Sequence, residues 1–225
     1  MFRALIFSAV LGCATAAQAV TIQNGDFEIA DGTFAQFATI DGGGSISGWT
    51  VDGVGIDHKR RYWVPHEGEY SIDLNSVGAG AISQLLTGLT VGNNYLVTFW
   101  MSANPVYGPD SIPSVPDEKT MRVSVDGASA NFRDYAFNTA DTSTTDMRWR
   151  EETFGFLAFA TEATLRFQSL LEGKHGIALD NISITDRDFT VVGGDTAASV
   201  PLPGGVILLV SGLGAGAVLR RRTQS

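Results

Sequence analysis

The sequence predicts an all-β protein, an antiparallel β-sandwich flanked by an N-terminal signal peptide and a short C-terminal transmembrane helix. Three observations lead to this prediction. Short segments alternate apolar and polar residues, turn-forming residues separate these segments, and each end of the chain carries an apolar run beside arginine. No segment combines a long 3.6-residue apolar period with helix caps, so helices are not expected inside the domain.

Residues 1–19 have the layout of a secretory signal peptide. Arg3 supplies a positive charge, residues 4–12 form a short apolar run, and residues 17–19 form an A-x-A cleavage site. The run is shorter than the roughly 20 residues that a membrane-spanning helix needs. Because Cys13 is the single cysteine and lies in this segment, the mature chain is expected to contain neither a disulfide nor a catalytic thiol. Acylation of Cys13, as in a lipoprotein, is the alternative.

Residues 200–225 are predicted to form a membrane-sorting tail. The tail consists of a short proline motif, an apolar segment over residues 204–219 and a cluster of three arginines at 220–222. The motif reads Val200, Pro201, Leu202, Pro203 and Gly204. The fourteen apolar or small residues 206–219 would span only about 21 Å as a helix, against a hydrocarbon core of roughly 30 Å. The arginines are expected to stay in the cytoplasm, which leaves the domain outside.

This tail resembles the PEP-CTERM class of sorting signals in its VPLPA variant, with Gly204 where alanine is usual. The resemblance implies that an exosortase cuts at the motif after signal peptidase has removed the other end. The protein would then pass from the inner membrane to the cell surface or extracellular matrix of a Gram-negative bacterium that makes exopolysaccharide. A plain single-span anchor is the alternative.

Between the two ends, residues 20–188 are predicted to form one domain, and residues 189–199, which are small and polar, a linker. The chain has 15 basic and 24 acidic residues; removing Arg3 and the three terminal arginines leaves 11 against 24, a net charge of −13. An acidic domain repels phosphate backbones, so a nucleic-acid partner is not expected. The acidity is compatible with bound divalent cations.

The strand predictions rest on alternation and on β-branched residues. The predicted strands cover residues 95–101, 120–125, 154–159 and 164–170. The predicted turns fall at residues 67–68, 92–94, 126–127 and 172–176. Residues 104–119 contain four prolines and are therefore predicted to form a long loop, which is either functional or a disordered insertion.

A series of short motifs along residues 20–186 carries a family resemblance. The motifs are residues 24–28 (NGDFE), 48–49 (GW), 66–74 (HEGEYSIDL), 80–84 (GAISQ) and 179–182 (LDNI). In this order they resemble the choice-of-anchor C family of bacterial surface proteins. That family's domain is similar to the galactose-binding-like jelly roll of carbohydrate-binding modules and to a plant cell-wall protein family. The resemblance implies a jelly-roll sandwich that binds carbohydrate.

Two acids of these motifs suggest a metal site. The first strand of a sandwich commonly lies beside the last, so Glu28 and Asp180 are expected to approach one another, and two such carboxylates repel unless a cation or a proton separates them. The resemblance implies one structural calcium here, with Glu67 and backbone carbonyls up to Tyr70 completing its ligands. The alternative is that both acids are satisfied by backbone amides.

Catalytic constellations are missing from the sequence, and the protein is predicted not to be an enzyme. The histidines are scattered at positions 58, 66 and 175, and no serine stands in a G-x-S-x-G turn. Asp57 and His58 are adjacent, but neighbouring strand residues point to opposite faces. Glu67 and Glu69, like Glu151 and Glu152, fall beside turns or strand starts, where solvated acids are common.

Aromatic side chains are the candidates for sugar binding, because the CH groups of sugars stack on aromatic faces. The candidates are Tyr62, Trp63, Tyr107 and Trp149. Tyr62 and Trp63 follow three basic residues and are expected to be exposed, whereas Trp49 and Trp100 stand among apolar residues and are expected in the core. The predicted function is therefore that of a non-catalytic carbohydrate-binding-like domain associated with polysaccharide. A structural or protein-binding surface protein without a sugar ligand is the alternative.

Overall fold

The computed structural model describes residues 19–105, 117–128, 132–140 and 142–187, which all belong to one compact unit. Within these ranges the chain forms twelve β-strands. They are β1 (Phe37–Asp41), β2 (Ser45–Ile46), β3 (Trp49–Gly53), β4 (Gly55–Arg60), β5 (Tyr70–Asp73), β6 (Gly80–Thr87), β7 (Asn94–Ala103), β8 (Glu118–Asp126), β9 (Phe132–Asn138), β10 (Arg150–Leu157), β11 (Glu162–Ser169) and β12 (Ile177–Asp186).

These strands form two six-stranded antiparallel sheets that pack face to face. Sheet A has the order β1-β4-β5-β12-β7-β10, and sheet B has the order β2-β3-β6-β11-β8-β9. The all-β sandwich predicted from the sequence is confirmed. The four predicted strands correspond to β7, β8, β10 and β11, and the four predicted turns lie between strands.

Strand alternation builds the core between the sheets. In β7, Tyr95, Val97, Phe99 and Met101 are buried in the core, while the residues between them face the other side of sheet A. Full burial of one such side chain contributes about 1.5–3 kcal/mol. Trp49 is also buried in this core, as predicted.

The prediction that Trp100 lies in the core is wrong, because Trp100 stands between two core-facing residues of β7. The core-facing neighbours are Phe99 and Met101, so Trp100 points to the outer face of sheet A. There it is half-buried and stacks on the ring of His66, with a centroid distance of 3.8 Å. The apolar neighbours that suggested a core position belong to the opposite face.

The outer face of sheet A is itself covered by loops. Trp63, Met147 and Ala178 form a second, smaller apolar cluster there, with Trp149 packed against it. Trp63 is only 2% exposed and donates a hydrogen bond from Nε1 to Ser71 Oγ at 2.8 Å. The expectation that Trp63 is exposed is therefore wrong, because the loop after β4 folds back over the sheet.

The opening segment of the domain docks at a bulge in β12. The register of β12 against β7 shifts between Asp180 and Ser183, and Asn181 has a positive φ of 46°. At this bulge the Ile182 amide donates to the Gly25 carbonyl at 2.8 Å. A Cβ at Gly25 would clash with the Ile182 carbonyl oxygen, so the close approach requires glycine.

This arrangement modifies the expectation that the first strand lies beside the last. The first regular strand, β1, pairs with β4 at the edge of sheet A. The irregular segment around Gly25 takes the place beside β12 instead.

Several sequence predictions lie outside the described residues. They concern the signal peptide up to residue 18 with Cys13, Tyr107 and most of the proline-rich loop, the linker 189–199, and the sorting tail 200–225 with the motif from Val200 to Gly204. Within the described ranges, no helix has the length and apolar character needed to cross a membrane.

Candidate functional site

A cavity of about 370 Å³ opens at one end of sheet A. Strands β1, β4 and β5, the end of β7 and the loop before β12 contribute to its wall. Its lining consists of Phe37, Thr39, Asp57, Lys59, Tyr62, Asp73, Asn75, Ser76, Val77, Asn104, Lys174 and His175. This space is called the polar cavity below.

Strand register places the polar residues in one row. Thr39 stands opposite Asp57 in the β1–β4 pair, and Asp57 stands opposite Asp73 in the β4–β5 pair. Their chain neighbours Ile56 and Ile72 are buried in the core, so strand alternation turns the polar side chains to the other face, toward the cavity.

Alternation also separates Asp57 from His58, as predicted. His58 Nε2 lies 2.9 Å from the Phe27 carbonyl oxygen, on the opposite side of β4 from the cavity. The residue that shares a face with Asp57 is Lys59, two positions along the strand.

The Lys59 ammonium is the buried cation of the site. It forms an ion pair of 2.7 Å with Asp57 Oδ2, while Thr39 Oγ1 donates to Asp57 Oδ1 at 2.6 Å. Lys59 is 4% exposed, and its Nζ lies 4.2 Å from the centroid of the Phe37 ring and 4.8 Å from that of Tyr62. Such contacts stabilise a desolvated cation through the negative face of the ring.

Asp73 ties three chain segments together below the cavity. Its Oδ1 accepts hydrogen bonds from the amides of Asn75 at 3.0 Å and Gly176 at 2.9 Å, and its Oδ2 accepts one from Asn104 Nδ2 at 2.7 Å. Burial raises the pKa of Asp73 to about 6, although the charge of Lys59 and these hydrogen bonds act in the opposite direction. Asp73 thus positions the end of β7 and the loop before β12.

Two buried polar atoms on the cavity wall are not satisfied within the described part of the chain. They are Asn75 Oδ1 and Ser76 Oγ. The orientation of the Asn75 amide is fixed, because its Nδ2 donates to the carbonyls of Leu171 at 2.7 Å and Gly173 at 2.6 Å. Both atoms are enclosed by the protein, so they show that the wall behind the cavity surface is polar.

Aromatic rings form the rim of the polar cavity. Phe37 is 45% exposed and Tyr62 is 37% exposed, and the two rings meet edge to face with centroids 6.1 Å apart. The predicted exposure of Tyr62 is confirmed. A polar interior beneath exposed rings is a combination that suits sugars, which present CH faces and hydroxyls together.

The other predicted aromatic residues lie close by. Trp63 lines a shallow pocket next to Tyr62, and Trp149 donates from Nε1 to the Val64 carbonyl at 3.0 Å, which fixes the loop that carries them. The fold therefore brings Tyr62, Trp63 and Trp149 into one region. Contact between these residues and a ligand stays a prediction.

The predicted metal ligands Glu28 and Asp180 both bind the backbone of residues 66–70. Glu28 Oε1 accepts from the amides of Glu69 and Tyr70, each at 2.8 Å. Asp180 Oδ2 accepts from the His66 amide at 2.9 Å, and burial raises the pKa of Asp180 to about 7.

The third predicted ligand, Glu67, accepts a hydrogen bond from Asn181 Nδ2 at 2.8 Å. No group of three or more His, Cys, Asp or Glu side chains in the described ranges is arranged to hold a metal ion. The main partners of the Glu28 and Asp180 carboxylates are N–H donors. This arrangement fits the alternative, in which backbone amides satisfy both acids, better than it fits calcium. The calcium ion stays a prediction.

Most residues of the polar cavity were missed by the sequence interpretation. A partial signal was present, since Asp57 and Lys59 stand two positions apart after Ile56, and Asp73 and Asn75 stand two positions apart on either side of Leu74. Charged groups at such positions share one face of a strand. Asn104 and His175 carry no comparable signal, because loops bring them to the site.

The fold and the cavity together define a two-sheet antiparallel β-sandwich with a polar cavity at one end of a sheet. Residues 20–185 match the family model described as "Protein of unknown function (DUF642)", and the chain belongs to this family.

A curated relative is halomucin from Haloquadratum walsbyi, which is 31% identical over 206 residues. The match covers 88% of this chain but only 2% of halomucin, so the chain spans a small fraction of that protein's length.

Similar solved structures include two carbohydrate-binding modules. TmCBM61 in complex with β-1,4-galactotriose is 17% identical, with 73% of this chain and 97% of that chain covered and a TM-score of 0.42. A family 35 carbohydrate-binding module from Clostridium thermocellum is 12% identical, with 68% and 100% covered and a TM-score of 0.40. At these scores and identities, the comparison assigns neither a ligand nor a site to this chain.

Proposed function

We propose that the domain binds carbohydrate without catalysing a reaction on it, and that the sugar enters the polar cavity. The observation that carries this proposal is a polar cavity, with Thr39, Asn75 and Lys174 in its lining, beneath the exposed rings of Phe37 and Tyr62. Polar groups of the lining would bind sugar hydroxyls, while a sugar ring would stack its CH face on the rim.

A non-catalytic role is supported by the state of the two cavity acids. Asp57 is held by the ion pair with Lys59 and by Thr39, and Asp73 accepts three hydrogen bonds from neighbouring segments. Glycoside hydrolysis needs one carboxyl group free to protonate the leaving oxygen and a second to attack or to activate water. Both acids are instead engaged in holding the site together.

At the level of the whole protein, we propose an exported surface or matrix protein associated with exopolysaccharide. The N-terminal signal-peptide layout, the tail with its proline motif and arginine cluster, and the acidic composition of the domain support this proposal.

The test is a glycan array probed with the protein and with Tyr62→Ala. We expect at least one polysaccharide to bind, and Tyr62→Ala to weaken its binding by about 1–3 kcal/mol, on the scale known for stacking of bases on aromatic residues. Phe159→Ala is the matched control, because Phe159 is an exposed aromatic residue that does not line the cavity. If no glycan binds, or if both variants behave alike, the proposal is overturned and the protein-binding alternative takes its place.

A further inference from the structure

All three lysines of the chain converge on the polar cavity. Lys59 and Lys174 line it, and Lys119 is buried nearby, where its charge lowers the pKa of His175. Elsewhere the mature chain is strongly acidic, so this concentration of ammonium groups sets the cavity apart from the rest of the domain.

The three ammonium groups differ in how they are neutralised. Lys59 is paired with Asp57 at 2.7 Å, and Lys119 lies in the field of Asp73 and Asp117. Lys174 is exposed at the cavity mouth and forms no ion pair within the described ranges. The mouth therefore presents a cation whose charge is not matched by a carboxylate of the domain.

His175, the neighbour of Lys174 on the cavity wall, reports the local field. Burial lowers the pKa of His175, and the charges of Lys119, Lys59 and Lys174 lower it further, against the opposite effect of Asp57. The imidazole thus stands in a positive field. A bound anion would oppose that field and allow His175 to take up a proton.

Resting on the proposed function, we propose that the cavity selects acidic carbohydrates, with the carboxylate or sulfate group of the sugar bound by Lys174 and His175 at the mouth. The ring of that sugar would lie on the Phe37 and Tyr62 rim, which a simple inorganic anion would leave unused. Because the surrounding domain repels polyanions, the local positive field would direct them to this one place.

Binding assays with paired polymers test the inference. The full chain is titrated with polygalacturonate and with its carboxyl-reduced product, and with dextran sulfate and dextran. We expect at least one acidic polymer to bind about tenfold more tightly than its neutral counterpart, and Lys174→Gln to remove most of that preference. The acidic polymer that binds then identifies carboxylate or sulfate as the recognised group.

Arg187→Gln is the control for charge. It removes one positive charge just after β12. At 3.3 Å per residue, this position lies about 30 Å along the strand from Ile177 at the cavity end. We expect this variant to bind as the wild type does. Equal losses in Lys174→Gln and Arg187→Gln would point to nonspecific attraction and overturn the inference.

The titration of His175, followed by NMR, gives a readout that a purely structural role of Lys174 would not produce. An acidic ligand is expected to raise the His175 pKa, whereas a neutral ligand leaves it unchanged. Binding of a neutral polymer as tight as that of its acidic partner overturns this inference but leaves the proposed function intact. Failure of every polymer to bind also overturns this inference, while the glycan array decides the proposed function separately.

Discussion

At the scale of single residues, Asp73 shows how one buried carboxyl group can organise a site. It accepts hydrogen bonds from Asn75, Gly176 and Asn104, which belong to three separate segments of the chain. Gly176 is required at its position, because a Cβ there would clash with the fixed amide of Asn75. The shape of the polar cavity therefore depends on Asp73 keeping all three contacts.

The raised pKa of Asp73 predicts a pH dependence of stability. In the folded state the pKa of Asp73 is about 6, above its ordinary value of 3.8, so between these two pH values the native state holds a proton that the unfolded state releases. This group's contribution to the free energy of unfolding should fall as pH rises from about 4 to about 6, by about 3 kcal/mol in total, and then stay level.

Urea unfolding of the wild type and of Asp73→Asn at pH 4, 5, 6 and 7 measures this effect. The variant has no titratable group at residue 73. Its side-chain NH₂ would face the N–H donors of Asn75 or Asn104, so we expect it to be less stable than the wild type at pH 4. Its deficit should shrink toward pH 7, since only the wild type loses the contribution of Asp73 in that window, while other groups titrate alike in both proteins. A deficit that is constant across pH would contradict the assignment of the titration to Asp73.

At the scale of structural elements, residues 66–70 form a segment that is clamped from two sides. Glu28 and Asp180 each accept backbone amides from this segment, and Gly68 has a positive φ of 65° with the Glu28 carboxylate packed against its Cα. This clamp joins the irregular opening segment to β5 and β12. No disulfide is available for that purpose, because the only cysteine is Cys13.

Substitutions of Glu28 distinguish the amide clamp from a calcium site. Glu28→Ala removes the acceptor of two amides and should lower the free energy of unfolding by about 1–3 kcal/mol. Glu28→Gln keeps an acceptor oxygen and should cost less, whereas a calcium ligand would tolerate neither change.

Thermal melting with calcium and with EDTA completes this test. The calcium prediction requires EDTA to lower the melting temperature of the wild type, and Asp180→Asn to remove that sensitivity. A wild type that melts at the same temperature under both conditions would remove the ion from this site.

The elements also show what the sequence could and could not predict. Strands β7, β8, β10 and β11 were predictable, because each is eight or more residues long and contains alternating apolar residues. Strands β1 to β5 are at most six residues long, and glycine-rich turns join β1 to β4, so alternation gives little signal there.

The candidate site was less predictable than the strands. Its aromatic residue Tyr62 was expected to be exposed, but the burial of Trp63 depends on a loop folding over the outer face of sheet A. The cavity itself depends on the pairing of β4 with both β1 and β5, and on the loop that carries His175. Such contacts join residues far apart in the chain, and local patterning does not encode them.

At the scale of the whole molecule, the distribution of charge distinguishes the β-sandwich domain from the predicted addressing segments at the two ends. The domain region is acidic, and its three lysines surround the polar cavity. The arginines at 220–222 follow the apolar run at the C-terminus, where the positive-inside rule would keep them in the cytoplasm. If both ends act as predicted, the cavity faces the outside of the cell, where polysaccharide is available.

The last prediction concerns the removal of the sorting tail in the native host. The apolar and small residues 206–219 would reach only about 21 Å as a helix, so this run is a weak permanent anchor in a hydrocarbon core of roughly 30 Å. The proline motif just before it would be accessible outside the membrane. We therefore expect the intact mass of surface-extracted protein to end near residue 204, without the arginine cluster. Pro201→Ala combined with Pro203→Ala should preserve the tail and shift the protein to the membrane fraction. A wild-type mass that still includes residues 220–225 would instead establish the plain single-span anchor.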